Sequence, residues 1–336
     1  MRKNNFLSMW IAPLVLFMAA MVGCGGGGGG SDGGGESATT TGVAFFGVVQ
    51  GFGSIFVNAV EFETSEAAFS KDDRFDGIDQ SHLRMGMMVT VHGSINEDGV
   101  KGIATSIDYR DNLEGPINSI DLATNTFVAL GYTVIVDAGT IFDGALTLDQ
   151  LAVDDFVEVS GAPDAEGKIR ATFIEKKGET CTTIQEIEVK GTVSNLDAVA
   201  KRFSIGSLTV DFSTADLSAL TSGPVDGLFV EVKSNECPVG STLIATRIEA
   251  EDEFGQFGEG EEGVHVEIQG IVTIITSLTE FELSGQPIRI TDQIQFVGLT
   301  SNQIILNLQL EVEGTLENGV LLAKVIRSEE ENPWGY

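Results

Sequence analysis

The scarce reactive side chains of this 336-residue chain are three cysteines and three histidines, and their spacing limits the chemistry they support. Cys181 and Cys237 belong to no Cys-x-x-Cys pattern and have no histidine nearby, so a two-thiol metal or redox centre lacks its usual signature. In an oxidising compartment, an isolated pair is most simply a disulfide. His82, His92 and His265 lie in unrelated local contexts without His-x-x-x-His spacing, which gives no shared metal site. Asp72, Asp76 and Gly77 have the spacing that opens a calcium loop, but Arg74 and Leu83 stand where oxygen ligands are required. A Gly-x-Ser-x-Gly nucleophile elbow is absent from the sequence. No catalytic residue is assigned, and no cofactor is expected apart from calcium, for which acidic turns such as Asn96-Glu97-Asp98-Gly99 and Asp164-Ala165-Glu166-Gly167, with the acidic linker, are the candidates.

The remaining cysteine, Cys24, has a different context. Arg2 and Lys3 precede an almost wholly apolar run from Phe6 to Val22, and the run closes in Met21-Val22-Gly23-Cys24. Small or apolar residues before a cysteine suit cleavage by the lipoprotein signal peptidase, and the thiol then accepts diacylglycerol. Met21, Val22 and Gly23 therefore read as a lipobox, and Cys24 as the lipidation site. The competing reading, a single spanning helix, has an apolar run near the lower limit for crossing a bilayer. A glycine run also follows, where flanking anchors would be expected. Multiple acyl chains anchor a protein stably, whereas one does so only marginally. Residues 25–42 are nearly all Gly, Ser, Thr and acidic residues. They cannot bury enough apolar surface to offset their ordering entropy, and a coil of this composition spans roughly 25 Å. Gly25, rather than Asp, after the modified cysteine favours outer-membrane sorting by similarity to Gram-negative lipoproteins.

The formal net charge is -31, and loss of Arg2 and Lys3 with the signal segment makes it -33. Such a surface repels nucleic-acid phosphates and anionic lipid and keeps the chain soluble by self-repulsion. Nucleic-acid binding is disfavoured on this ground. Adaptation to salty surroundings explains the charge most simply, with cation binding as the sharper alternative.

The element that must position these residues is a repeat. Four strand starts contain glycine: Phe46-Gly47-Val48-Val49, Glu114-Gly115-Pro116-Ile117, Lys190-Gly191-Thr192-Val193 and Gln269-Gly270-Ile271-Val272. Further along each unit comes an alternating strand: Val89 to Gly93, Val157 to Gly161, Val230 to Ser234 and Leu310 to Gly314. A polar turn and a last strand carrying Ala104, Ala171, Ala245 or Ala323 complete each unit, and these alanines are 67, 74 and 78 residues apart. The organisation expected is a signal segment (1–23), lipidated cysteine and tether (24–42), and units at 43–110, 112–178 and 187–252. An acidic glycine-rich linker (253–263), a divergent fourth unit (264–329) and a tail (330–336) follow.

Within a unit the pattern predicts three strands, a short helical turn and two strands. Alternation places Val157 and Val159 inward and leaves Glu158 and Ser160 facing water. Asp137 and Asp211 fall at corresponding strand ends and read as turn or cap residues. A unit of about 65 residues is near the lower limit for a lone core. The fold class expected is mainly β: tandem small five-stranded OB-like β-barrels, whose closure removes exposed edges. In such a barrel the first and fourth strands pair antiparallel, so Cys181, before the first strand of unit three, meets Cys237, after its fourth. Closing that loop stabilises the unit by roughly 4 kcal/mol in the chain-entropy model. Unit three has Ser234 where the others have glycine, and the bridge would pin that irregular corner.

Gly51-Phe52-Gly53-Ser54-Ile55-Phe56-Val57-Asn58, Tyr132 to Thr140 and Val157-Glu158-Val159-Ser160-Gly161 together resemble the repeated bacterial domain of unknown function 5666, common in tethered lipoproteins. The similarity covers nearly all of 43–329. It is strong over units one to three and weak over unit four, where Thr291-Asp292 replaces an expected Asp-Ala or Asp-Phe pair. The resemblance implies the fold and the address and supplies no catalytic residues.

The function expected is that of a membrane-anchored envelope lipoprotein acting as a non-catalytic binding or spacer module. Its partners are the membrane, through the lipid, and an unidentified envelope protein or polymer. Phe254 and Phe257 in the acidic linker, and Trp334 and Tyr336 in the tail, are the candidate partner-binding residues. The second reading is a calcium-dependent adhesin-like or matrix protein, and the third is an enzyme with a site between barrels.

Overall fold

The computed structural model describes residues 41–71, 77–143, 147–181, 186–251 and 263–328. Barrel one comprises β1 (Thr41–Gly51), β2 (Ile55–Val57), β3 (Val60–Glu63), β4 (Ala68–Lys71), β5 (Met88–Ile95) and β6 (Lys101–Tyr109). Barrel two comprises β7 (Leu113–Asp121), β8 (Thr126–Ala129), β9 (Tyr132–Ile135), β10 (Ile141–Phe142), β11 (Phe156–Pro163) and β12 (Ile169–Gly178). Barrel three comprises β13 (Ile187–Thr192), β14 (Ser194–Asp197), β15 (Arg202–Ile205), β16 (Leu208–Asp211), β17 (Phe229–Ser234), β18 (Thr242–Ile244) and β19 (Arg247–Ala250). Barrel four comprises β20 (His265–Ile275), β21 (Glu280–Leu283), β22 (Gln286–Val297), β23 (Gln309–Glu317) and β24 (Val320–Ser328). No helix among the described residues is long and apolar enough to cross a membrane.

The strand order is the one expected from the repeat. In barrel two, β7 pairs β8, β8 pairs β9, β9 runs parallel to β12, β12 pairs β11, and β11 returns antiparallel to β7. Barrels one and four close in the same way, through β5 on β1 and β23 on β20. Barrel three carries its ring on two sheets, because its first and last strands each break in the middle. The third strand of barrels one and two resumes after a gap as β4 and β10, each parallel to the last strand. In barrel four the equivalent β22 is unbroken, with a register shift between Ile290 and Gln295. The predicted helical turn is a single 3-10 turn at Gln80–His82, Leu148–Gln150 and Ser301–Gln303.

The recurring glycines have a steric cause. In β5, β11 and β23 the register shifts at Gly93, Gly161 and Gly314, and the bulge presses the strand onto its hairpin partner. A Cβ at Gly161 would lie 2.3 Å from the Arg170 carbonyl oxygen, so any side chain there forces the hairpin apart. Ser234 ends β17 in register with Ile187 and without a bulge, and its hydroxyl accepts the Glu236 N–H at 3.1 Å. The disulfide between Cys181 and Cys237, Cα atoms 6.0 Å apart, ties this corner to the chain entering barrel three.

The barrels are not beads on a string. β1 of barrel one pairs parallel with β20 of barrel four, over Val43↔His265 to Phe46↔Ile268. β7 of barrel two pairs antiparallel with β13 of barrel three. The apolar cores cross these seams as well: one cluster spans barrels two and three, and Ala44, Phe46 and Val48 of barrel one join the core of barrel four; Phe173 of barrel two in turn joins the core of barrel one. This packing corrects the expected exposure of Glu158 and Ser160. Both point away from their own barrel, as alternation requires, but they are 2% and 0% exposed because barrel one covers that face. The Ser160 hydroxyl accepts the Met88 N–H of barrel one at 2.9 Å.

Candidate functional site

The densest polar cluster lies where barrels one, two and three meet. β4 ends in Lys71, and the connection between barrels one and two supplies Asp111. β7 supplies Glu114, β11 Glu158 and β12 Lys177. Barrel three adds Glu188 and Lys190 from β13 and Glu231 and Lys233 from β17. Glu114, Glu158, Glu188, Lys190, Glu231 and Lys233 sit at the outward-facing phase of their strands, which an isolated barrel would leave in water. Here Glu158, Glu188, Glu231, Lys190 and Lys233 are all buried.

The carboxylates of Asp111, Glu114 and Glu158 offer oxygens within 4.8 Å of one another, close enough to hold a metal ion. A lysine occupies their midst. Lys71 Nζ lies 2.9 Å from Asp111, 3.4 Å from Glu114 and 3.1 Å from Glu158. A divalent ion at this point would have to displace Lys71. Lys177 reaches Glu158 from the other side at 3.0 Å, and the Tyr109 hydroxyl donates to the same carboxylate. Beyond Asp111, Lys190 bonds both Asp111 and Glu188, at 3.2 and 2.9 Å. Lys233 bonds Glu188 and Glu231, each at 2.7 Å.

Burial opposes the charge of every member, and the partners decide which members keep it. Burial works against the Lys71 ammonium, but Asp111, Glu158 and Glu114 outweigh it and hold its pKa above the ordinary lysine value. Burial and then Lys71 and Lys177 act oppositely on Glu158, and the lysines win, lowering it. Glu114 has weaker compensation: burial, together with Asp111 and Glu158, pushes it up to about 7 against the pull of Lys71. Burial, and a hydrogen bond that its protonated form donates to Glu188, push Glu231 up to about 9. Glu188 is correspondingly held well below the ordinary carboxylate range: burial raises it, but Lys190, the hydrogen bond with Glu231 and Lys233 together outweigh that. The node is thus a largely compensated lattice in which burial favours the protonated form of Glu231 and, less strongly, of Glu114. Its chemistry is that of an electrostatic clamp between barrels.

The residues singled out in the sequence fall as follows. Cys181 and Cys237 are joined. Cys24, Met21, Val22 and Gly23, and likewise Phe254, Phe257, Trp334 and Tyr336, lie outside the described residues. Asp137 and Asp211 are turn residues, as expected: their carboxylates accept the N–H groups of Gly139 and Ser213 and pair with Arg170 and Arg202. His82 pairs with Asp79 on the 3-10 turn, and His265 lies 3.9 Å from Glu313, so the histidines remain apart. Sequence reasoning missed the node itself. Its clearest signal was the Lys-Glu alternation on Glu188-Val189-Lys190 and Glu231-Val232-Lys233, strands that the register brings side by side.

A protein-family model described as "Domain of unknown function (DUF5666)" matches residues 47–108, 114–175 and 269–327. The matched segments coincide with barrels one, two and four. This reverses the ranking by resemblance, which placed the third unit above the fourth. The fourth barrel retains a key contact in spite of its Thr291-Asp292 pair: Thr291 donates to the Ala323 carbonyl at 3.0 Å, as Thr140 does to Ala171 at 2.8 Å. A search of curated proteins found no match.

Proposed function

Because this chain belongs to the family of domain of unknown function 5666, three matches to which cover barrels one, two and four, we propose that it is a membrane-anchored envelope protein whose barrels act together as a non-catalytic binding or spacer module. The observation that carries this reading is the electrostatic clamp. Lys71, Asp111, Glu158, Lys190 and Glu188 spend their charge on one another across three barrels. The barrel interiors are likewise filled, by Phe45 and Phe62, Phe127 and Phe156, and Phe203. Chemistry directed inward in this way suits a body that holds its shape and presents its outer surface.

Lipidation at Cys24 and the glycine-rich tether would place that body at the outer membrane, with an envelope protein or polymer as partner. The strongly negative charge argues against nucleic acid. In-cell crosslinking and pull-down of tagged protein tests the reading, with Cys24→Ala as the unanchored control. A specific envelope partner lost in the control supports it, and a partner profile no different from background overturns it.

Calcium dependence is the second reading: the Asp111, Glu114 and Glu158 oxygens lie close enough together to hold an ion, which would have to displace Lys71. It requires a calcium-induced rise in melting temperature that magnesium and ionic strength do not reproduce. An unchanged melt sinks it.

A further inference from the structure

The seam between barrels one and four contains a carboxyl group that the clamp does not use. Glu267 lies on β20 opposite Phe45 of β1 and is 7% exposed. Among the described residues, no cation lies within ion-pair distance of it. From β24, Arg327 is engaged by Glu311 and, at 3.3 Å, by Glu313 of β23. His265, two residues back on the same strand, faces Glu313 at 3.9 Å, and Lys324 of β24 is bonded to the Thr315 hydroxyl at 2.7 Å. β1 has no ionisable residue, and the polar group that barrel one turns toward Glu267 is the Asn58 side chain. The facing set is therefore two carboxylates, one shared arginine, one histidine and an amide. A buried anion in such company is strongly disfavoured.

Two further features fit this imbalance. The Asn58 side-chain oxygen is buried without a hydrogen-bond partner, and so is the side-chain oxygen of Gln269, two residues along the same face of β20 as Glu267. Buried acceptors without donors are rare and need a cause. A single proton on Glu267 supplies a donor and removes the uncompensated charge. Asn58 is fixed in place: its amide donates to the Phe46 carbonyl at 3.3 Å, and its oxygen fills the space above Gly47, where a Cβ would come within 2.0 Å.

We propose that Glu267 carries a proton in the folded protein and bonds through it to the side-chain oxygen of Asn58, so that the joint between barrels one and four is locked by a proton and loosens as the pH rises. Burial, followed by the Glu311 carboxylate, moves Glu267 well above the ordinary value of 4.5, against the smaller opposing pulls of Arg327 and of the Asn58 side chain. Its contribution is complete below 4.5 and is lost as the pH rises through the raised value.

Infrared difference spectra of the full-length protein at neutral pH test the protonation directly. Wild type minus Glu267→Gln should show the carbonyl stretch of one protonated carboxyl, and its absence overturns the proposal. Hydrogen exchange of the β1 and β20 amides tests the lock. Relative to Glu267→Gln, which cannot ionise, opening of the wild-type seam should increase about tenfold per pH unit within the titration range. Identical pH dependence in the two proteins overturns it. If Glu267→Gln fails to fold, Asn58→Ala serves in its place, since it removes the acceptor and leaves the acid. The carboxyl band should then shift in frequency, and an unmoved band counts against the bond.

Discussion

Lys71 Nζ and Glu158 Oε2 lie 3.1 Å apart, although the lysine ends a strand of barrel one and the glutamate sits within a strand of barrel two, 87 residues on. The glutamate has the strand phase of a surface residue, whereas the lysine ends β4 on the phase of Phe69, over the Tyr109 ring. Their pairing helps to bury the outer face of β11, because the lysine neutralises carboxylates that could not be buried without it. The arrangement holds the barrels in a fixed relation and occupies the position a metal ion would need.

Lys71→Met is accordingly expected to be among the most damaging single changes outside the apolar cores. It leaves Asp111, Glu114 and Glu158 buried together with only Lys177 and Lys190 as compensation. Breaking a buried pair on one side costs about 3 kcal/mol or more. Urea denaturation of the variant should show that loss, and added calcium should restore part of it by entering the vacated place. A variant as stable as wild type would show that the clamp contributes nothing.

The barrels were legible in the sequence because a strand with a period of two declares its inner face. Val157, Val159, Val230 and Val232 could be placed from alternation alone, and the cysteine pair followed from the pairing of first and fourth strands. The node was not legible, because alternation says only that Glu158 and Lys190 point away from their own barrel. Whether water or another barrel lies there depends on packing between units. Two features were in view but carried no weight: like-spaced Glu and Lys on β13 and β17, and a lone Lys71 at a strand end. The seams were hidden for a related reason. Closure of each barrel satisfies its own edges, so nothing local announces that β1 also accepts β20.

The disulfide predicts a concentration of stability at one corner. Reduction, or paired Cys181→Ala and Cys237→Ala, releases a constraint across 56 residues and should cost about 2–4 kcal/mol. Circular dichroism should retain its β signal while the melting transition moves down. An unchanged transition would mean that neighbouring contacts pin the corner on their own.

Gly161→Ala should destabilise and Gly42→Ala should not. The added methyl at 161 meets the Arg170 carbonyl at 2.3 Å, whereas at 42 nothing lies within 4 Å. Forcing a methyl into the bulge costs about 1–3 kcal/mol. Parallel thermal melts of the two variants settle the matter, since equal melting temperatures would refute the steric account of the repeat's glycines.

Alkaline pH should weaken the node before acid does. Glu114 and Glu231 are raised to about 7 and about 9 from an ordinary 4.5, so the folded protein holds protons that the unfolded chain releases. Their contributions are complete below pH 4.5. The first is lost as the pH rises towards 7 and the second as it rises towards 9, at about 1.4 kcal/mol per pH unit for each proton. Glu158 and Glu188 are lowered and act in the opposite sense, their contributions being present above 4.5 and lost as the pH falls below it. Stability should therefore decline from pH 7 to pH 9, and Glu231→Gln should flatten that decline, because the amide keeps the hydrogen bond to Glu188 and has no proton to lose. Urea midpoints across this range, in wild type and in the variant, give the comparison. If the two curves run parallel from pH 7 to pH 9, Glu231 is not the group that titrates there, and the node's proton lies elsewhere.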